Sequence, residues 1–172
     1  MGEQTIKERP TMPEPMRAIT LWEPWASLLA IGAKRTETRS WATRYRGPVA
    51  IHAGIDPRGL RACAGDGAIE DALAGAGLAL ERLPLGCIVA VGGLVDCRRT
   101  EDLVAAGLDD PFGDYGPGRY GWQLDRVRPL RDPIRAIGMQ GLWVLPVVLA
   151  QQIDARVGAD LGGASASSVV SS

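Results

Sequence analysis

The sequence predicts an α+β fold, a small β-barrel that carries a few short helices. Three observations point there. The chain has 172 residues, the length of one domain and enough to bury a core without disulfides or metal. Short alternating or continuous apolar runs recur between Gly- and Pro-containing turns, the pattern of many short strands. The helical segments between them span only two or three turns, so they need a sheet to pack on.

Residues 1–16 are polar and carry Pro10, Pro13 and Pro15, and read as a flexible arm. "RAITL" from Arg17 is a short strand. Pro24 suits the first turn of a helix, where its missing N–H costs nothing. Trp25, Leu28 and Leu29 follow at i, i+3, i+4 and give that helix one apolar face, with Gly32 as its stop. "GPVAIHAG" is a strand with Val49 and Ile51 on one face, Ala50 and His52 on the other. Residues 53–84 are rich in Ala and Gly and hold two weak helical segments. "GCIVAVGGLVDCRR" reads as a long buried strand, in which Gly92-Gly93 marks a bulge or a close backbone approach.

"TEDLVAAG" is a short helix with Thr100 as N-cap, acids in the first turn and Gly107 as stop. "GRYGWQLDRVRPL" alternates around Tyr120, Trp122, Leu124 and Val127 and is a strand. "IRAIGMQGLWVLPV" supplies one or two closing strands. The folded domain is expected over residues 17–148. Residues 149–172 form a C-terminal extension whose end, "GGASASSVVSS", is expected to be disordered. No internal repeat is present.

Net charge is −1 at pH 7, so no global field marks a nucleic-acid binder, and any such function rests on a local patch. Three cysteines, Cys63, Cys87 and Cys97, form no CxxC pair. A disulfide framework or a zinc ribbon is not expected, and a reducing cytosol is the default location. A single histidine, His52, excludes most His-based metal sites, and no cofactor is expected. The N-terminus lacks the apolar core of a signal peptide, and no apolar run approaches the ~20 residues that span a bilayer.

The aromatic residues are unevenly placed. Five tryptophans, three tyrosines and one phenylalanine fall into two segments, Trp22 to Tyr45 and Phe112 to Trp143. The stretch between has none. The two segments are expected to meet in space, either as core or as the lining of a pocket for a planar ligand. Trp25, Trp122 and Trp143 read as core, and Trp22 as an edge of the pocket.

The first aromatic segment also carries Lys34, Arg35, Arg39, Arg44 and Arg46 against one acid, Glu37. Cations interleaved with Trp41 and Tyr45 suit a nucleic-acid strand, whose phosphates they neutralise and whose bases the rings stack on. A solvated face with ordinary ion pairs is the plainer alternative. Lys34 and Glu37 point to opposite faces if their segment is extended and can pair if the turn continues. A Lys beside a Glu in a partly buried cleft could also serve acid/base chemistry.

The block "LWEPWASLLAIGAKRTETRSWATRYRGPVAIHA" resembles the signature of the ASCH (activating signal cointegrator homology) domain: a QPWASL-like helix, GxKxxExRxW, then YRG and a strand ending in IHA. "GRYGWQLDRVRPLRDPIRAIGMQGLWVLP" is similar to the closing strands of that family. The resemblance covers about Arg17 to Pro146, and the Ala/Gly-rich middle adds little. It implies a PUA-like β-barrel with helices over its ends and an association with RNA binding. One branch of the family hydrolyses N4-acetylcytidine through a Lys-x-x-Thr arrangement and a distant Glu. Lys34 matches that Lys, but Glu37 stands where the Thr would be. The family usually has Gln where this chain has Glu23, which weakens phosphate contact there.

The expected function is therefore recognition of RNA or single-stranded nucleic acid, or of a modified nucleotide, in a basic, aromatic-lined cleft. Its candidate residues are Lys34, Arg35, Glu37, Arg39, Trp41, Tyr45, Arg46, His52 and Tyr120. Lys34, Arg39 and Arg46 would hold phosphate or base oxygen, Glu37 would accept from a base amino group, and Trp41 or Tyr45 would stack. The alternatives are a hydrolase of an N4-acetylcytidine-like amide or of RNA, with Lys34 and Glu37 as its candidate catalytic pair, and a protein-interaction domain of coactivator type.

Overall fold

A computed structural model describes residues 15–163. Six strands form one mixed sheet: β1 (Arg17–Leu21), β2 (Thr36–Arg39), β3 (Gly47–Ala53), β4 (Cys87–Arg99), β5 (Tyr120–Arg135) and β6 (Leu142–Val144). Their order across the sheet is β2-β5-β4-β3-β1-β6. β1 runs parallel to β3, and the other pairs are antiparallel. The long strands β4 and β5 curl the sheet into a half-barrel, as expected for this α+β class. Among the described residues, no helix is long and apolar enough to cross a membrane.

The curl has local causes. Where β4 passes Gly92 and Gly93, its register against β5 slips. A Cβ on Gly92 would lie 2.9 Å from Val127 Cγ2 and 3.1 Å from the Asp125 carbonyl, so only glycine lets the two backbones close up. Opposite, Arg126 adopts φ 45°. This extra residue moves Val127 onto the face of Tyr120, Trp122 and Leu124, and all four pack against one core cluster with Ile19, Val49, Ile51 and Leu94. The alternation in the sequence holds only because of this bulge.

Helix α1 (Trp25–Ala30) lies over that cluster, with Ala26 and Leu29 in it. Gly32, at φ 77°, ends it and turns the chain towards β2. The Ala/Gly-rich segment folds as α2 (Arg58–Ala62), α3 (Gly67–Gly75) and one 3₁₀ turn at Leu80–Arg82. Ile69 and Leu73 of α3 pack with Leu28 and Cys63 in a second cluster. Helix α4 (Thr100–Ala105) has Arg99, not Thr100, at its N-cap. Thr100 is buried, and its hydroxyl donates to the Gly116 carbonyl at 2.8 Å. The expected cap is instead a tie to the loop before β5.

The folded unit extends past Val148. Helix α5 (Val147–Gly163) packs Ile153 into a third cluster with Ala18, Ile88, Leu130 and Trp143. At the other end Met16 joins the same cluster, and its carbonyl accepts from Leu145 N–H at 2.9 Å. The arm and tail expectations for residues 1–14 and 164–172 lie outside the described residues.

Candidate functional site

The edge strand β2 bonds only to β5, with Glu37 opposite Trp122 and Arg39 opposite Tyr120. Glu37 and Arg39 are two apart on a strand, so both face the same side. Lys34 precedes the strand. The turn after α1 is fixed by its backbone N–H, which donates to the Leu28 carbonyl at 3.0 Å, and its side chain folds back towards Glu37. Lys34 Nζ lies 3.9 Å from Glu37 Oε2 and donates to the Phe112 carbonyl at 3.3 Å. The turn geometry, not a helix, thus resolves the two alternatives in favour of pairing.

Glu37 is the centre of this group. Arg39 Nε forms an ion pair with Glu37 Oε1 at 3.1 Å, although its buried N–H is not aligned for a hydrogen bond. The Arg39 Nη2 donates to the Thr20 carbonyl at 2.9 Å. Arg119 donates to the Thr38 carbonyl at 3.2 Å and pairs with Asp114 at 3.3 Å. Among the described residues the Glu37 carboxylate accepts no hydrogen bond, only these charge contacts. Burial pushes its carboxyl pKa up, opposed by Arg39, Lys34 and Arg119. Burial also pushes the Lys34 ammonium pKa down, opposed by Glu37 and Asp110. Each charge offsets part of the other's loss of solvation.

Two hollows open at Glu37. One, of about 390 Å³, is lined by Trp25, Lys34, Glu37, Thr38 and Phe112 among others. The other, of about 340 Å³, is lined by Thr20, Trp22, Trp25, Glu37, Arg39 and Arg119 among others. They share Trp25 and Glu37 and form one cleft with an aromatic wall and a charged floor. Trp22 stands at its rim, 47% exposed, with the Arg58 guanidinium 4.9 Å from its ring centre. Glu23 does not face the cleft. It is fully buried, and its carboxylate accepts from the Ser27 N–H at 3.0 Å and the Ser27 hydroxyl at 2.7 Å. Burial raises its pKa to about 7.

Of the sequence candidates, the cleft brings together Lys34, Glu37 and Arg39. Lys34 is only 1% exposed, so it positions Glu37 and the Phe112 loop and has no surface to offer a phosphate. Arg35 is exposed; its backbone N–H faces Asp110 at 3.4 Å. Trp41 stands edge-on to Trp122, ring centres 4.5 Å apart, and its carbonyl accepts the Trp122 indole N–H at 3.2 Å. Tyr45 packs on the core below Arg17 and donates its hydroxyl to the Pro48 carbonyl. Arg46 pairs with Asp96 at 3.2 Å and lines a separate groove with Arg126 and Arg128. Tyr120 packs on the core under Arg99. His52 lines a neighbouring hollow. The basic segment is therefore spread over separate surfaces.

The structure adds Thr20, Trp25, Thr38, Phe112 and Arg119. Trp25 reads as core from its helical spacing and does touch the core, but it is only half-buried. Phe112 carried a signal, as the first member of the second aromatic segment. Arg119 and Thr20 carried none, since they reach the site only through strand pairing. Among the described residues, no three His, Cys, Asp or Glu side chains are grouped to hold a metal ion.

The ASCH domain family matches residues 19–123, the span that contains α1, β2 and the start of β5. A crystal structure of an ASCH protein from Zymomonas mobilis superposes with a TM-score of 0.53 at 15% identity, covering 82% of this chain and 94% of that one. Two variants of that protein superpose at TM-scores of 0.54 and 0.51, with 15% and 16% identity, 82% of this chain, and 97% and 95% of theirs. At such identity the likeness is one of fold. No curated protein matches the chain. With more than half of its length matched and the same curled half-barrel under the cleft, the chain belongs to the ASCH domain family.

Proposed function

We propose that the chain binds single-stranded RNA and takes one base into the cleft at Glu37. The observation that carries this reading is the state of the Glu37 carboxylate. It is buried and surrounded by cations, yet accepts no hydrogen bond among the described residues. The Glu37 side chain keeps 11% of its surface and lines both hollows, so a donor that enters the cleft can complete its lone pairs. An exocyclic amino group or ring N–H of a base is such a donor. Trp22 and Trp25 supply flat walls, and a stacked base contributes about 1–3 kcal/mol. Unpaired bases expose these faces and edges, whereas duplex bases do not.

The test is calorimetric titration of short single-stranded RNA into wild type and Glu37→Gln. The amide removes the charge and one acceptor. Loss of one charge-assisted hydrogen bond weakens binding about 10- to 100-fold. Unchanged affinity overturns the reading. A DNA strand of the same sequence shows whether the 2′-hydroxyl contributes.

The opposed pKa shifts of Lys34 and Glu37 support a second reading, with Glu37 as general base towards water. Acetate release from N4-acetylcytidine, or RNA cleavage, abolished by Glu37→Gln would establish it in place of simple binding.

A further inference from the structure

We propose that the hollow on the other side of Trp22 is a second nucleotide subsite, which takes the nucleotide adjacent in the strand to the base held at Glu37. The inference rests on the base-binding reading above and assigns it a direction across the surface. The hollow holds about 660 Å³, and Thr20, Trp22, His52, Ile55, Arg135 and Ile137 are among its lining residues. It shares Thr20 and Trp22 with the hollow at Glu37, so the two adjoin at these residues. Thr20 is tied on both sides. Its carbonyl accepts from Arg39 at 2.9 Å, and its hydroxyl accepts the Trp143 indole N–H at 3.2 Å.

The lining has the character of a base site with a phosphate nearby. Ile137 is 90% exposed and Ile55 78%, and with Trp22 they make an apolar rim that folding alone does not require. The Arg135 guanidinium has no ion pair or hydrogen bond among the described residues, so its charge is available. Arg58 lies over the Trp22 ring, at the partition between the two hollows. A phosphodiester joining bases on either side must pass that ring. Its Asp56 partner, 2.6 Å away, leaves one carboxylate for two guanidiniums here. The excess is positive, which favours a nucleotide over an acidic or uncharged apolar partner.

The floor is uncharged but polar. His52 is buried, and its Nε2 lies 3.0 Å from the Ala136 carbonyl. A carbonyl only accepts, so Nε2 carries a hydrogen; burial pushes the imidazole pKa down, which leaves Nδ1 a bare acceptor, buried with no hydrogen-bond partner among the described residues. Gly138 lies close against it. A Cβ there would fall 2.6 Å from Nδ1 and 2.8 Å from the Thr20 hydroxyl oxygen.

The experiment titrates the four ribonucleoside 5′-monophosphates and a set of diribonucleotides into wild type, an Arg135→Ser/Ile137→Ser double variant, and Glu37→Gln. Both residues of the double variant are exposed, so the fold is kept. Wild type is expected to bind the best dinucleotide about tenfold or more tighter than the best mononucleotide. In the double variant this gain shrinks to about twofold, while mononucleotide affinity stays as in wild type. Equal affinity for both lengths in wild type, or a gain that survives in the double variant, overturns the second subsite. The first subsite stands if Glu37→Gln still weakens both probes. If Glu37→Gln changes nothing, the base reading fails and the adjoining subsite falls with it.

Discussion

Lys34 and Glu37 face each other at the base of the cleft, their charged atoms 3.9 Å apart and both side chains almost wholly removed from solvent. They stand three positions apart in the sequence, and the turn after Gly32 brings them together. Each has a pKa displaced towards neutrality by burial and held back by the other. Removal of one partner leaves the other charge in a poorly solvated place.

Lys34→Met is therefore expected to destabilise the fold by about 3 kcal/mol at pH 7, the usual cost of breaking a buried pair. The loss shrinks towards acid, because a protonated Glu37 no longer needs the ammonium. Adding Glu37→Gln recovers part of it. Urea midpoints of the two single variants and the double variant give the coupling energy directly, and additivity would count against a coupled pair.

Glu23 gives a pH dependence of determined sign. Its folded pKa of about 7 lies above the ordinary 4.5, so between those values the folded chain binds more protons than the unfolded one. Stability is full below about pH 4.5 and falls by up to about 3 kcal/mol as pH rises to about 7. Glu23→Gln keeps an acceptor for the Ser27 N–H and removes the charge. The variant is expected to match wild type at pH 4.5 and to exceed it at pH 8. Parallel denaturation curves for both proteins across that range check the point, and a constant difference between them would contradict it.

RNA affinity is expected to depend only weakly on salt. Lys34 is buried, Arg39 and Arg119 are engaged with backbone and carboxylates, and Arg46 pairs with Asp96. Arg35 and Arg135 carry no ion pair among the described residues, and each phosphate neutralised on a single strand contributes about −0.7 to the slope of log K against log salt. A slope of about −1 to −2 is expected from titrations between 50 and 300 mM salt. A value steeper than about −4 would mean that the whole basic segment contacts the strand.

Gly121→Ala should disturb the site from behind. Gly121 faces Thr38 across the β2–β5 pair, and an added Cβ would strike Leu103 and lie 2.7 Å from Thr36 Cγ2. Both neighbours are buried. Overpacking of this kind costs about 1–3 kcal/mol. Because β2 must shift, RNA affinity falls together with the thermal midpoint. A variant that loses stability but binds normally would separate β2 from recognition.

The hollow near His52 was half legible. The strand face of His52, opposite to Val49 and Ile51, follows from the two-residue period and holds in the structure. That this face looks onto Gly138, Arg135 and the far side of Trp22 does not follow. Arg135 and Gly138 lie more than eighty positions after His52 and Trp22 lies thirty before it, and only the sheet topology brings them together.

By itself the sequence determined the class of fold, most of its elements and the segment that carries the charged centre. The strand and helix periods, the bulge at Gly92-Gly93 and the run from Trp22 to Arg39 are local properties. They survive because neighbours along the chain enforce them. Tertiary structure decided which charges meet. Lys34 and Arg46 are twelve residues apart in one basic stretch, yet one is buried against Glu37 and the other pairs with Asp96 at a different groove. A charge run has no fixed face until strand pairing assigns one. That pairing, Glu37 against Trp122 and Arg39 against Tyr120, is a long-range contact that no local pattern encodes.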